Sequence, residues 1–228
     1  RNFLQFLGAE AKAVPVNSTS NFQLTAELIS DYWEPLVSGV LLASPSNPTG
    51  TLVTPNELKN ICDVVDSHSG WLFSDEIYHG LEYGIRSETA LKVTQRTFVI
   101  NSFSKYFGMT GWRIGWLVVP EDFIGLTERL AQNLFISTST VAQYAALAAF
   151  TEESFAECES RRLEFENRRD YLYDELLKLG FQIPCKPEGA FYIYANCEKF
   201  SRNSYEFAYD LLEEQGLAIT PGRDFGQN

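Results

Sequence analysis

Lys105 stands in Asn101-Ser102-Phe103-Ser104-Lys105-Tyr106, two hydroxyls and a primary amine set directly after the apolar run Thr97–Ile100, and Arg113 follows with Gly108, Gly111 and Gly115 around it. A lysine amine can form a Schiff base with a carbonyl. The Ser102 hydroxyl and the Arg113 guanidinium fork can together hold a phosphate. Asp75 leaves another apolar run, Trp71–Ser74, and is followed by Tyr78; Asn47 lies in Ser46-Asn47-Pro48-Thr49-Gly50. An aspartate can keep a pyridine nitrogen protonated and so strengthen an electron sink, while Asn47 and Tyr78 can hydrogen-bond a ring hydroxyl or phenolate. Each residue alone also has a plainer reading: Asn47 stabilises its turn, Asp75 caps the next segment, Lys105 is solvated, and Arg113 belongs to a surface ion pair.

The elements that would position these groups favour a shared site. Val37–Ala43, Trp71–Ser74 and Thr97–Ile100 are short apolar runs of the kind buried in a parallel sheet, and Trp116–Val119 makes a fourth. Between the first two, Thr54-Pro55-Asn56-Glu57 is a helix start, with a capping threonine, proline in the first turn and a glutamate completing a capping box. Leu58, Ile61, Cys62 and Val65 then share one face of that helix. Strand and helix alternating in this way predict an α/β layered domain. Ligands bind at the carboxyl edge of such a sheet, and Asn47, Asp75 and Lys105 each follow a strand. Pyridoxal phosphate carries a carbonyl, a ring nitrogen, a ring hydroxyl and a phosphate on one small molecule.

The remaining chain is read in coarser terms. Phe3–Leu7 is a helix end, Gly8 a turn, and Ala13–Val16 a short strand. Glu121–Ile136 is an amphipathic helix and the alanine-rich Val141–Phe150 a largely buried one. Ser154–Leu179 is a long charged helix stopped by Gly180; Glu157–Arg161, Glu164–Arg168 and Asp174–Lys178 are spaced to pair along its solvated face. Phe181–Ile183 and Ala190–Tyr194 read as short strands and Ser204–Gln215 as a helix. The expected division is residues 1–154 as part of a large domain, and 155–228 as a linker helix with part of a smaller α+β domain.

Bulk composition limits the partners. The 228 residues hold 18 basic and 30 acidic side chains, a net charge of −12, which argues against nucleic acid or an anionic membrane surface. No apolar run reaches transmembrane length and no signal-peptide pattern opens the sequence, which starts at Arg1. Cys62, Cys158, Cys185 and Cys197 form no C-x-x-C pair and read as reduced thiols of a cytoplasmic protein. With only His68 and His79 beside them, no metal site is expected.

The ordered set SNPTG, SDEIYHG, SFSK and GWRIGW resembles the fold-type I, class I/II pyridoxal-phosphate aminotransferases, the aspartate aminotransferase superfamily. The similarity runs over essentially the whole chain, through PEGAFYIYA to TPGRDFG. The resemblance implies a three-layer α/β/α large domain with a mostly parallel sheet, followed by part of a smaller α+β domain. It implies that Lys105 is the Schiff-base lysine and that Asp75 pairs with the pyridine nitrogen. Asn47 and Tyr78 would be partners of the ring oxygen, Ser102 and Arg113 phosphate ligands, and Ser104 either a further phosphate contact or a packing hydroxyl. A cis bond before Pro48 is implied as well. The expected substrates are an L-amino acid and a 2-oxo acid, and the expected assembly is a homodimer.

Against the family pattern the chain starts after the glycine-rich phosphate turn and the ring-stacking aromatic. It ends before the arginine that grips the substrate carboxylate, so a fragment with incomplete substrate recognition is expected. A lyase or synthase on the same fold would use the same lysine, although Thr49 and Tyr78 side with aminotransferases. An aminotransferase-like sensing module of a transcription regulator is the alternative from another class.

Overall fold

The structure, a computed structural model, describes residues 2–226. Its centre is a four-stranded sheet in the order β1 (Gly39–Ala43), β2 (Trp71–Asp75), β3 (Thr97–Ser102), β4 (Gly115–Val118). The first three strands are parallel, and β4 returns antiparallel to β3, so the mostly parallel sheet is present. Ala43 pairs with Asp75 and Asp75 with Ile100. The carboxyl ends of three strands therefore finish in one row.

Alternation along the strands decides which residues hold the sheet in place. Leu42, Leu72 and Val99 point to one face, where they pack with Ile29 of α2 (Ala26–Tyr32) and with Leu58, Ile61, Cys62 and Val65 of α3 (Pro55–Ser67). Ile61 and Leu72 are wholly buried, and burying a side chain of that size contributes about 1.5–3 kcal/mol. Thr54 caps α3 as expected, its hydroxyl accepting from the Glu57 amide at 3.3 Å. Glu57 does not complete the capping box. Its carboxylate accepts from the Ala26 amide at 2.6 Å, where the unpaired N–H groups opening α2 attract an anion.

The opposite face is less covered by the described residues. Phe123 packs edge-on against Trp71 and Phe98 at one corner, while Leu41, Phe73, Ile100 and Leu117 remain exposed. Beyond β4 come α4 (Ile124–Phe135) and α5 (Thr140–Ala148). The Val141–Phe150 stretch is not largely buried. Ala142, Ala146 and Ala149 are buried, the last two against Phe103, whereas Val141, Tyr144, Leu147 and Phe150 are exposed. The small residues form the contact edge, Phe150 packs edge-on against Phe103, and Val141, Tyr144 and Leu147 stay exposed. No helix among the described residues is long and apolar enough to cross a membrane.

α6 (Glu152–Leu179) ends at Gly180 in a left-handed conformation. Glu157–Arg161 and Glu164–Arg168 pair along it, while Lys178 takes Glu175 rather than Asp174. Ala13–Val16 is not a strand; Pro15 lacks the amide that a ladder needs. Phe181–Ile183 and Ala190–Tyr194 are not ladders either. Each region keeps a single bridge, Gln182 to Asn196 and Glu82 to Gly189. Ala190 has φ 57°, which breaks an extended run. α1 (Asn2–Phe6) and α7 (Ser204–Gln215) complete the helices.

The Pro187–Tyr192 segment is tied to the sheet edge by its backbone. The Glu188 and Gly189 amides both donate to the Gly50 carbonyl, at 2.9 and 2.8 Å, and the Ala190 amide donates to Leu81 at 2.8 Å. A Cβ on Gly189 would lie 2.7 Å from Pro45 Cγ. Gly189→Ala is expected to destabilise by about 1–3 kcal/mol through overpacking. Gly125→Ala, in a helix position with open space around it, should be neutral or stabilising. Urea unfolding midpoints of the two variants check this contrast.

Candidate active site

Tyr78 is where the expected site residues meet. It leaves β2 on the Asp75–Tyr78 turn and is buried, packing with Leu81 and Ala190. Lys105 Nζ lies over its ring, 5.5 Å from the centroid, and equally far from the ring of Phe191. The Tyr78 hydroxyl is 2.6 Å from that of Tyr192. Burial first, then the hydrogen bond to Tyr192, raise its pKa well above that of an ordinary phenol; a hydrogen bond from the Asn47 side chain pulls the other way. Asn47, Asp75, Tyr78 and Lys105 thus come together at the carboxyl edge of the sheet. The Asn47–Pro48 bond is cis, as is Ser44–Pro45.

Asp75 ends β2 with its carboxylate accepting from the Ile77 amide at 3.2 Å. It has no salt bridge among the described residues. Burial is the main cause that pushes its carboxyl pKa up, and the Ile77 amide opposes this. Glu76, beside it, is buried inside the core face and anchors the turn. It accepts from the Ala90 amide at 2.9 Å, from Ser74 Oγ at 3.0 Å and from Thr89 Oγ1 at 3.2 Å.

Ser102 and Ser104 are brought together at the end of β3, their hydroxyls 2.9 Å apart. Ser102 Oγ is also 3.1 Å from the Ile114 carbonyl, and Thr110 donates to the Ser104 carbonyl at 2.7 Å. Arg113 is joined to this corner only through backbone. It has φ 53°, is exposed, and donates to the Thr110 carbonyl at 2.9 Å. Among the described residues its guanidinium touches neither serine. α6 braces the neighbourhood: Tyr106 donates to Glu159 at 2.7 Å, and Arg169 donates to the Pro187 carbonyl at 2.8 Å.

Residues 2–227 match the family Aminotransferase class I and II. The chain belongs to this aminotransferase family. It is 40% identical over 227 residues to the valine–pyruvate aminotransferase of Mycobacterium tuberculosis, covering 99% of this chain and 58% of that protein. It is 39% identical over 217 residues to the probable N-acetyl-LL-diaminopimelate aminotransferase of Bacillus subtilis, covering 94% of this chain and 55% of that protein. The crystal structure of an aminotransferase from Mycobacterium tuberculosis superposes with a TM-score of 0.95 at 38% identity, covering 99% of this chain and 58% of that one. The chain thus spans a little over half the length of these relatives.

The family's cofactor is pyridoxal phosphate, and the side chains present fit it. A half-buried carboxylate with no salt bridge among the described residues suits a protonated pyridine nitrogen. Among the described residues Lys105 Nζ makes neither a hydrogen bond nor a salt bridge, leaving the amine available to a carbonyl.

Three residues around this candidate site, Glu76, Phe191 and Tyr192, carry no functional signal in the sequence. The placement of Glu76 was legible in principle, since Leu72, Ser74 and Glu76 continue one alternation towards the core. Phe191 and Tyr192 lie far along the chain in PEGAFYIYA, a motif that carries no spacing signal to Tyr78.

Two measurements follow from this geometry. Glu76→Ala strands the Ala90 amide and should cost about 1–3 kcal/mol in urea unfolding, with Glu76→Gln recovering most of the loss because an acceptor oxygen remains. For Asp75, a folded pKa raised above the unfolded value, about 3.9, means that ionisation weakens the fold as pH rises through the folded value. In cofactor-free protein Asp75→Asn should therefore be at least as stable as wild type at pH 7. That advantage should vanish below about pH 4, as followed by thermal unfolding across pH.

Proposed function

We propose that the intact protein carrying this sequence is a pyridoxal-phosphate-dependent aminotransferase, moving an amino group between an L-amino acid and a 2-oxo acid. The observation that carries this reading is the Lys105 amine, unpartnered among the described residues, and the half-buried Asp75 carboxylate set around Tyr78. Bound pyridoxal phosphate supplies a carbonyl for the lysine and an electron sink for charge released at the substrate's Cα.

The chain's own residues do the rest. Lys105 Nζ would hold the cofactor through its carbonyl and would be the base that takes up and returns the substrate's Cα proton. Asp75 would keep a proton on the ring nitrogen. Asn47 and Tyr78 would hydrogen-bond the ring oxygen and orient the ring. Ser102, Ser104 and Arg113 would hold the phosphate. We further place the enzyme in the cytoplasm as a homodimer. Its four cysteines are free, as in a reducing compartment, and the exposed apolar side chains of α4 and α5 are of the kind that associate.

Pyridoxal phosphate added to the intact protein and fixed with borohydride should label Lys105, as peptide mapping will show. Lys105→Ala should lose both this label and transamination. Normal turnover by the variant would sink the assignment.

A further inference from the structure

Tyr192 is separated from Tyr78 by more than a hundred residues, yet their hydroxyls lie 2.6 Å apart and their rings meet edge to face, 5.7 Å between centroids. The contact is held rigidly from both sides. Tyr78 is buried on its turn, and Tyr192 follows the Glu188–Ala190 backbone that is hydrogen-bonded to Gly50 and Leu81. Tyr83 donates to the Ala190 carbonyl, and Ala190 is wholly buried with φ 57°. A non-glycine residue held in the left-handed region costs free energy and persists only where its surroundings impose it. Here that conformation delivers Phe191 to the Lys105 amine and Tyr192 to the Tyr78 hydroxyl.

A phenol has a single proton to give and can also accept. If Tyr78 donated to Tyr192, it would have no proton left for the oxygen of a cofactor ring. We propose that Tyr192 is a positioning residue that donates its hydroxyl proton to Tyr78, so that the Tyr78 proton is directed to the ring oxygen of bound pyridoxal phosphate. This inference rests on the aminotransferase reading above. Donating to one hydroxyl also strengthens that hydroxyl as a donor in turn. The titratable groups around the pair are Asp75, which acts on the Tyr78 hydroxyl, and Lys105 over its ring face.

The test is a double-mutant cycle in the intact protein, titrated with pyridoxal phosphate and followed by cofactor absorbance across pH. Tyr192→Phe keeps the ring packing and should weaken cofactor affinity about tenfold, the scale of one lost hydrogen bond. It should also move the pH midpoint of the bound cofactor's absorbance upward, because the ring-oxygen anion loses support. In the Tyr78→Phe background the same substitution should change neither quantity. Equal effects in both backgrounds, or none in either, overturn the proposal. Tyr192→3-fluorotyrosine, a stronger donor of nearly the same shape, should move the midpoint downward; no movement overturns the proposal even if Tyr192→Phe fails to fold. A parent protein that binds no pyridoxal phosphate overturns the aminotransferase reading itself, an outcome distinct from a parent that binds it normally and ignores changes at Tyr192.

Discussion

Everything at the candidate site depends on the register of three parallel strands. Ala43, Asp75 and Ile100 are neighbours across β1, β2 and β3, so the loops that follow must emerge at one edge. A slip of one residue in β2 would exchange its faces. Leu72 would leave the core that α2 and α3 cover, and Asp75 would turn away from the strand ends. The buried leucines and valines therefore stabilise the sheet and, through the same contacts, fix the direction of the chemistry.

Onto that frame the molecule adds polar groups at a cost to stability. Asp75 is half-buried with no salt bridge among the described residues, Tyr78 and Tyr192 face each other as phenols, and Ala190 holds a left-handed backbone. Such features destabilise a fold unless neighbours fix them. Here the neighbours are visible. Glu76 takes three hydrogen bonds behind Asp75, and the Gly50 carbonyl takes two from the Pro187–Tyr192 segment. Gly80 has the Tyr106 ring 2.5 Å from where its Cβ would stand, so the loop beyond Tyr78 fits closely against the residue next to Lys105.

Two surfaces contrast. The face of the sheet under α2 and α3 is filled, whereas Leu41, Phe73, Ile100 and Leu117 on the other face are exposed, as are the large side chains of α5. The sheet core among the described residues is thus one-sided. The active-site edge lies between the two faces, and its geometry is set from the filled one.

The sequence by itself determined the four strands of the sheet, the capped helix α3 and the residues that end each of those strands, because alternation, capping and turn chemistry are local. It also pointed to Lys105, Asp75, Tyr78 and Asn47 as one group, since parallel strands share an edge. Local pattern could not distinguish the two faces of α5, where alanines rather than the larger residues make the contact. It could not say that Phe181–Ile183 and Ala190–Tyr194 would forgo ladders for single bridges. Nor could it bring Tyr192 to Tyr78, or turn Glu57 from its own helix to the start of α2. Those are pairings between distant segments, decided by which backbone groups need partners and which volumes are left to fill. Only the tertiary structure settles that competition.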